Sequence, residues 1–128
     1  MLSNQTPVPT LAVSDLTRAR GFYEDTLGLS ASTDTPGGVT YPCGGGNLFV
    51  YPSAYAGTNK ATAVSFDIPA ADFDSEVDEL RAKGVEFMTF DMDGVEWNDG
   101  VATMGEQGRA VWFADPDGNI LNISVNEL

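Results

Sequence analysis

The sequence predicts an α+β fold built from two βαβββ modules in one domain, each a curved mixed sheet with a helix on its outer face and a concave cavity face. Three observations predict it. The chain has 128 residues, 42% of them hydrophobic, which suits one compact domain. The order of strand, helix and further strands occurs twice, and a glycine follows each helical pattern, Gly28 and Gly84. We place module one at about 6–53, a linker at about 54–60 and module two at about 61–126.

Module one is predicted to begin with a strand over Val8–Val13. Ser14 or Asp15 then offers a side-chain oxygen to cap a helix. Apolar residues at helical spacing place this helix over Leu16–Leu27, before Gly28. Glycine-rich turns separate the remaining strands, which are expected at Val39–Tyr41 and Asn47–Tyr51.

Module two repeats this order. Asp72 is expected to cap a helix in which Phe73, Val77 and Leu80 recur at spacings of four and three. Asp-Pro-Asp-Gly at 115–118 is typical of a turn between two strands. The predicted strands of this module are Ala63–Ile68, Val85–Phe90, Arg109–Ala114 and Asn119–Val125, with a long acidic connection over residues 91–108.

The composition excludes several common chemistries. Histidine is absent, which removes the commonest general base and the nitrogen ligands that zinc, copper and iron prefer. The single cysteine, Cys43, excludes an intrachain disulfide and has no neighbouring base or cation that would lower its pKa. Hydrolases with Ser-His or Cys-His pairs are therefore excluded.

The net charge of −13 is unevenly distributed. Residues 1–60 hold four acidic and three basic side chains, whereas residues 61–128 hold fifteen and three. Such a field repels nucleic acid and anionic membranes and favours cationic ligands. Solvation of the surface, as in a high-salt organism, is a simpler explanation of the acidity than ligand steering. Because the sequence shows neither a signal peptide nor an apolar run of about 18 residues, we expect a cytoplasmic protein that does not span a membrane.

Two motifs carry a resemblance to a known family. Val13-Ser14-Asp15-Leu16 is followed by Phe22-Tyr23 and Leu27-Gly28-Leu29, and Phe113-Ala114-Asp115-Pro116-Asp117-Gly118-Asn119 stands near the end. With the repeated element order, the sequence resembles the vicinal oxygen chelate superfamily, which includes glyoxalase I, extradiol dioxygenases, fosfomycin-resistance enzymes and bleomycin-resistance proteins. The resemblance implies the fold over nearly the whole chain, and this fold hosts both enzymes and non-catalytic binding proteins.

The resemblance also locates four positions at which enzymes of the family hold a metal ion. They correspond here to Val8, Ala63, Asn122 and Phe49, or Tyr51 if the register of that strand is shifted by two residues. Valine, alanine and phenylalanine cannot coordinate a cation, and one amide oxygen does not hold it alone. We therefore expect a metal-free member of the family with no cofactor.

Strand alternation predicts which side chains line the concave face and which pack in the core. The residues expected in the core include Leu48, Val50, Val111 and Phe113. Trp97 and Met104, in the predicted connection, are expected either at a wall of the ligand site or in a dimer interface. Aromatic and neutral polar side chains dominate the set, which suits an apolar or planar ligand, although the same rings would also fill a cavity or a dimer interface. The predicted ligand-binding residues are Thr10, Phe49, Tyr51, Ser65, Trp97, Met104, Trp112, Asn122 and Ser124.

Three functional hypotheses remain at this point. The first is a metal-independent small-molecule binding protein, of the bleomycin-resistance-like type, that sequesters an aromatic or cationic compound. The second is a metal-free lyase or isomerase that uses Asp67, Tyr41 or Tyr51 as acid or base. The third is a structural or regulatory dimer with a filled cavity. The resemblance and the near-neutral first half both favour a homodimer.

Overall fold

The computed structural model describes residues 1–105 and 108–125. The chain forms two compact units. The first comprises Met1–Ala63 and the turn Asp115–Asn119, and the second comprises Val64–Ala114 and the strand that begins at Ile120. Asn126, at the predicted end of module two, lies outside the described residues. The two units, each with a helix and a mixed or antiparallel set of strands, confirm the α+β class and the repeated βαβββ order.

The first unit contains a four-stranded sheet in the order β1-β4-β3-β2. β1 is parallel to β4, and the other pairs are antiparallel. Leu48 and Val50 are buried as alternation predicts. Gly44 and Gly45 form the tight turn between β3 and β4, with Gly44 at a positive φ of 55°. The strands are β1 (Thr10–Val13), β2 (Thr33–Thr35), β3 (Gly38–Cys43) and β4 (Gly46–Pro52).

Helix α1 (Leu16–Arg20) begins as predicted, because Oδ1 of Asp15 accepts a hydrogen bond from the Arg18 amide. The expected single helix then changes type: Gly21–Thr26 is a π-helical segment, closed by the Leu27 amide, which donates to the Phe22 carbonyl at 3.0 Å. A π-helical segment widens the turn by one residue.

A buried polar network holds the turn Asp115–Asn119 within the first unit. Tyr23 Oη donates to Asp115 Oδ2 at 2.8 Å, and Asn119 Nδ2 lies 2.8 Å from the same oxygen. Asp115 Oδ1 accepts from the amides of Asp117 and Asn119, both at 2.9 Å. Asn119 Nδ2 also donates to the Ala12 carbonyl, so the predicted side-chain-bonded turn also ties itself to strand β1.

The second unit contains a five-stranded sheet in the order β5-β9-β8-β7-β6. Helix α2 (Ala70–Ala82) buries Phe73, Val77 and Leu80, which confirms the predicted apolar face. Val111 and Phe113 are buried, as are Leu121, Ile123 and Val125. The strands are β5 (Thr62–Asp67), β6 (Glu96–Asn98), β7 (Val101–Met104), β8 (Gly108–Ala114) and β9 (Ile120–Val125).

Two sequence predictions for this unit are wrong. Asp72 does not cap α2: Pro69 stands at the N-cap, makes no side-chain bond there, and leaves Asp72 in the first turn. Val85–Phe90 does not form a strand and contributes one bridge, from Met88 to Trp112. The physical reason is that residues 108–110 of β8 already pair with β7, so this segment meets β8 at Trp112.

The prediction of a long connection is wrong for residues 96–104. It folds into the hairpin β6–β7, whose two-residue turn is Asp99-Gly100 with φ values of 54° and 80°. Trp97 and Met104 therefore lie on strands rather than on a loop. Within the described residues, no helix has the length and apolarity needed to cross a membrane.

Candidate functional site

Three aromatic side chains of the second unit form what we call the aromatic cluster: Phe90, Trp97 and Trp112. The Trp97 and Trp112 ring centroids lie 5.8 Å apart with the planes at 53°. Phe90 meets Trp112 edge-on at 5.7 Å and lies 6.5 Å from Trp97. All three side chains are half-buried, so the cluster packs against itself and keeps part of its surface open to solvent.

The strand register explains why Trp97 and Trp112 share one face of the sheet. Trp97 pairs with Ala102, Ala102 with Ala110, and Ala110 with Ser124, so these four residues form one row across the sheet. Trp112 stands one pleat further along β8, on the same face as Ala110. Both alanines are fully buried although two tryptophans share their face. Small residues between large rings leave room for the rings to lie over the sheet.

Asn122 and Ser124 lie on the same face of β9 but are already engaged with the protein. Asn122 pairs with Trp112, is only 4% exposed, and donates from Nδ2 to the Val111 carbonyl at 3.1 Å. Ser124 Oγ donates to Asn122 Oδ1 at 2.5 Å. The nitrogen and the oxygen of the Asn122 amide therefore both have hydrogen-bond partners within the protein. Ser124 is half-buried and more accessible than Asn122.

The predicted residues of the first unit lie on one face of its sheet. Phe49 and Tyr51 are half-buried, with ring centroids 6.0 Å apart and planes within 12°. Gly38, at φ 150°, makes this possible: a Cβ there would come within 2.3 Å of the Phe49 ring. Thr10 pairs with Phe49 and is exposed, and its hydroxyl donates to the Val8 carbonyl at 2.9 Å.

Two other predicted ligand residues have different surroundings. Ser65 is exposed on strand β5, at the edge of the second sheet. Met104 is half-buried at the end of β7, where it pairs with Gly108. The structure thus brings Trp97 together with Trp112 and Phe49 together with Tyr51. It adds Phe90, which the sequence analysis assigned to a strand and not to the site.

Tyr41 does not lie on the face where an acid or base was expected. It is fully buried on the opposite face of β3 from Thr40, its ring stacks on Tyr23 at 5.9 Å, and Oη donates to Glu24 Oε2 at 2.9 Å. Burial and then the hydrogen bond to Glu24 raise the Tyr41 pKa. The hydrogen bonds from Arg20 and then Tyr41 lower the pKa of Glu24. Tyr41 is therefore part of the core of the first unit.

The residues at the family's metal positions do not fit a divalent cation. Val8 is an exposed hydrocarbon, Ala63 offers only a methyl group, and Phe49 stacks on Tyr51. Asn122 has its amide oxygen bonded to Ser124. Across residues 1–105 and 108–125, no three His, Cys, Asp or Glu side chains gather in a way that could hold a metal ion. The donor set lacks the oxygens that such an ion requires.

This donor set predicts that the purified protein carries no stoichiometric transition metal. Elemental analysis should find far less than one equivalent of nickel, zinc, iron or manganese, and a chelator should leave the melting temperature unchanged. One equivalent of metal, lost on chelation together with stability, would overturn the prediction.

The chain belongs to the Glyoxalase/Bleomycin resistance protein/Dioxygenase superfamily, whose sequence profile matches residues 7–123. This match confirms the resemblance to the vicinal oxygen chelate fold. A comparison with curated proteins finds no match.

Solved structures share this fold with the chain at low sequence identity. A glyoxalase/bleomycin resistance protein/dioxygenase from Alicyclobacillus acidocaldarius is 17% identical, with a TM-score of 0.73 over 95% of this chain and 91% of that one. The fosfomycin resistance protein FosX from Listeria monocytogenes, complexed with Mn(II) and sulfate, is 18% identical, with a TM-score of 0.73 over 100% and 94%. Lactoylglutathione lyase from Agrobacterium tumefaciens is 20% identical, with a TM-score of 0.67 over 94% and 92%. At these identities the similarity shows the fold alone.

Proposed function

We propose that this protein is a metal-independent small-molecule binding protein that sequesters an aromatic or cationic compound. The observation that carries the proposal is the aromatic cluster, in which the half-buried rings of Trp97 and Trp112 share one sheet face and the half-buried ring of Phe90 packs against both. Rings in this arrangement offer both stacking and cation–π contacts to a planar or cationic ligand. Phe49 and Tyr51 offer a second aromatic surface on the sheet of the first unit.

The charge of the chain supports a cationic ligand. The excess of acidic side chains attracts cations to the surface and raises their rate of capture. Among the cation–π contacts described within the chain, Arg81 lies over Phe87 and Arg109 over Phe73. Neither contact uses a ring of the aromatic cluster. In these two pairs the arginines therefore lie over other rings of the chain.

The proposed binding function does not use the metal site of the family. FosX of Listeria monocytogenes was solved with Mn(II). Of the four metal positions that the resemblance locates in this chain, three are hydrocarbon. A binding role requires no metal ligand and no catalytic acid, and it uses the aromatic surfaces that the chain does have. The expectation of a cytoplasmic location stays a prediction.

We also propose that the protein acts as a homodimer, because the near-neutral residues 1–60 can approach a second copy with little repulsion. Light scattering at micromolar protein should give about twice the 13.6 kDa chain mass. A monomer mass that stays constant with concentration would contradict the dimer.

A thermal-shift screen tests the binding function. We expect at least one compound from a set of planar aromatic cations to raise the melting temperature, because a ligand at 100 times its dissociation constant adds about 2.7 kcal/mol of stability. Matched neutral aromatics and non-aromatic cations separate the contributions of charge and ring. The absence of any shift across all three sets at millimolar concentration would count against the proposal.

A further inference from the structure

The hairpin β6–β7, which carries Trp97, is bound to helix α2 at its turn. Arg81, in the last turn of α2, donates a hydrogen bond from Nη2 to the main-chain carbonyl of Asp99. The same nitrogen lies 3.5 Å from Asp99 Oδ2. One guanidinium therefore contacts both the backbone and the side chain of the turn. Because the Asp99 side chain is 86% exposed, we expect the hydrogen bond to the carbonyl to contribute more than the ion pair.

An aromatic ring supports this contact. The Arg81 Cζ atom lies 5.3 Å from the centre of the Phe87 ring, and that ring meets the buried Phe113 edge-on at 6.2 Å. Gly100, the second residue of the turn, also lies against Phe87, since a Cβ at Gly100 would come within 2.9 Å of the Phe87 Cβ. The turn is thus packed onto the core of the second unit next to the residue that Arg81 binds.

Strand pairing alone gives Trp97 a weak support. β6 has three residues and lies at the edge of the sheet, next to β7. A short hairpin without further packing is only marginally stable. Trp112, by contrast, is on β8, which has a strand on each side. Because Trp97 stands two residues before Asp99, a movement of the turn also moves the Trp97 ring relative to Trp112.

We propose that Arg81 is a positioning residue of the aromatic cluster: by binding the Asp99-Gly100 turn to α2, it holds Trp97 against Trp112. Arg81 contacts Asp99 and Phe87, so its effect on the cluster passes along β6. The placement of the two indole rings requires no ligand. The consequence for ligand affinity rests on the function proposed for the cluster, because a ring that is already in place costs less to order on binding.

Circular dichroism measures the placement of the two indole rings. Transitions of rings 5.8 Å apart and inclined by 53° couple and give a couplet, a pair of bands of opposite sign. The chain has two tryptophans, so Trp97→Phe identifies the part of the spectrum that belongs to this pair. Arg81→Met removes the donor, and it should lose most of the couplet while urea unfolding stays cooperative. An unchanged couplet in Arg81→Met would refute the proposal, because the turn would then hold Trp97 without Arg81.

Arg109→Met is the matched control. Arg109 belongs to the same unit, lies 4.5 Å from the centre of the Phe73 ring and binds Asp74 at 2.7 Å. Its side chain is 34% exposed, against 35% for Arg81. It makes both kinds of contact, but its acidic partner is on α2 and not in the turn, so this variant should keep the couplet. Equal loss of the couplet in both variants would contradict a specific role for Arg81.

Two further variants separate the hydrogen bond from the ring contact. Arg81→Lys keeps a charged donor and should recover part of the couplet. Phe87→Ala keeps the Arg81 hydrogen bond and the Cβ that lies against Gly100, so it should keep the couplet in spite of its lower stability. A couplet as weak in Arg81→Lys as in Arg81→Met would count against the hydrogen bond as the cause. Loss of the couplet in Phe87→Ala alone would assign the positioning to the ring and overturn the role of Arg81.

Titration with N-methylquinolinium, a planar aromatic cation, separates this inference from the proposed function. In Arg81→Met the couplet and the affinity should fall by the same factor, because both depend on the fraction of molecules in which Trp97 lies against Trp112. A lost couplet with unchanged affinity would confirm the positioning and refute the cluster as the ligand site. If N-methylquinolinium does not bind, the proposed function loses support, and the couplet measured without ligand still decides the role of Arg81.

Discussion

Asp115→Ala should lower the free energy of unfolding by about 3–5 kcal/mol, because it removes the acceptor at the centre of a buried network. The carboxylate accepts from Tyr23 Oη, from Asn119 Nδ2 and from two turn amides. The side chain of Tyr23 is fully buried, so its hydroxyl would lose its partner without access to water. Typical domains have a total stability of about 5–15 kcal/mol, so the loss would be a large part of it.

Urea denaturation followed by circular dichroism measures this effect. Tyr23→Phe removes one donor and leaves Asp115 with its other partners, so we expect a smaller loss of about 1–2 kcal/mol. Asp93→Ala, on an exposed loop, should change stability by less than about 0.5 kcal/mol. If Asp115→Ala were as stable as Asp93→Ala, the network would not be holding the turn.

Trp112→Ala should abolish the thermal shift produced by any aromatic cation that binds the aromatic cluster. It removes the ring that contacts both Phe90 and Trp97, and a desolvated cation–π contact is worth about 2 kcal/mol, or more than tenfold in affinity. Loss of the half-buried ring should also cost roughly 2–4 kcal/mol of stability. Calorimetric titration of the folded variant separates the two effects.

Phe87→Ala is the matched control for this loss of stability. Phe87 is a half-buried ring of the same unit that packs edge-on against Phe113 at 6.2 Å and is not part of the aromatic cluster. We expect a comparable destabilisation with ligand affinity retained. Trp112→Phe should recover part of the affinity, because it keeps a ring at this position. Wild-type affinity in Trp112→Ala would refute the assignment of the ligand site.

The repeated element order and the core of both units could be predicted from the sequence, since alternation and helical spacing are local signals. Leu48 with Val50, and Val111 with Phe113, are buried as expected. A helix cap at Ser14 or Asp15 was also predicted, and Asp15 provides it. By contrast, the helix start predicted at Asp72 was wrong. Pro69 stands at the N-cap instead, because its φ of −62° already suits the start of a helix. The presence of a capping residue type was therefore not enough to locate the start of α2.

The hairpin β6–β7 was missed because its strands have only three and four residues. Asp99-Gly100 was the available signal, since this dipeptide favours the two-residue turns of hairpins. Trp97 lies beside Trp112 because β6 pairs with β7 and β7 pairs with β8. No local sequence pattern encodes this pairing. Tyr41 was misassigned because the hydroxyl that suggested acid-base chemistry is bound by Glu24, a residue of the π-helical segment.

Tryptophan fluorescence of the chelator-treated protein tests the central claim most directly, because Trp97 and Trp112 are its two tryptophans and both belong to the aromatic cluster. Titration with an aromatic cation that produces a thermal shift should give saturable quenching, with the same dissociation constant in the presence of chelator and of added Mn(II). Metal-independent binding at the rings predicts this result. Quenching or turnover that appears only when a divalent cation is added would contradict it.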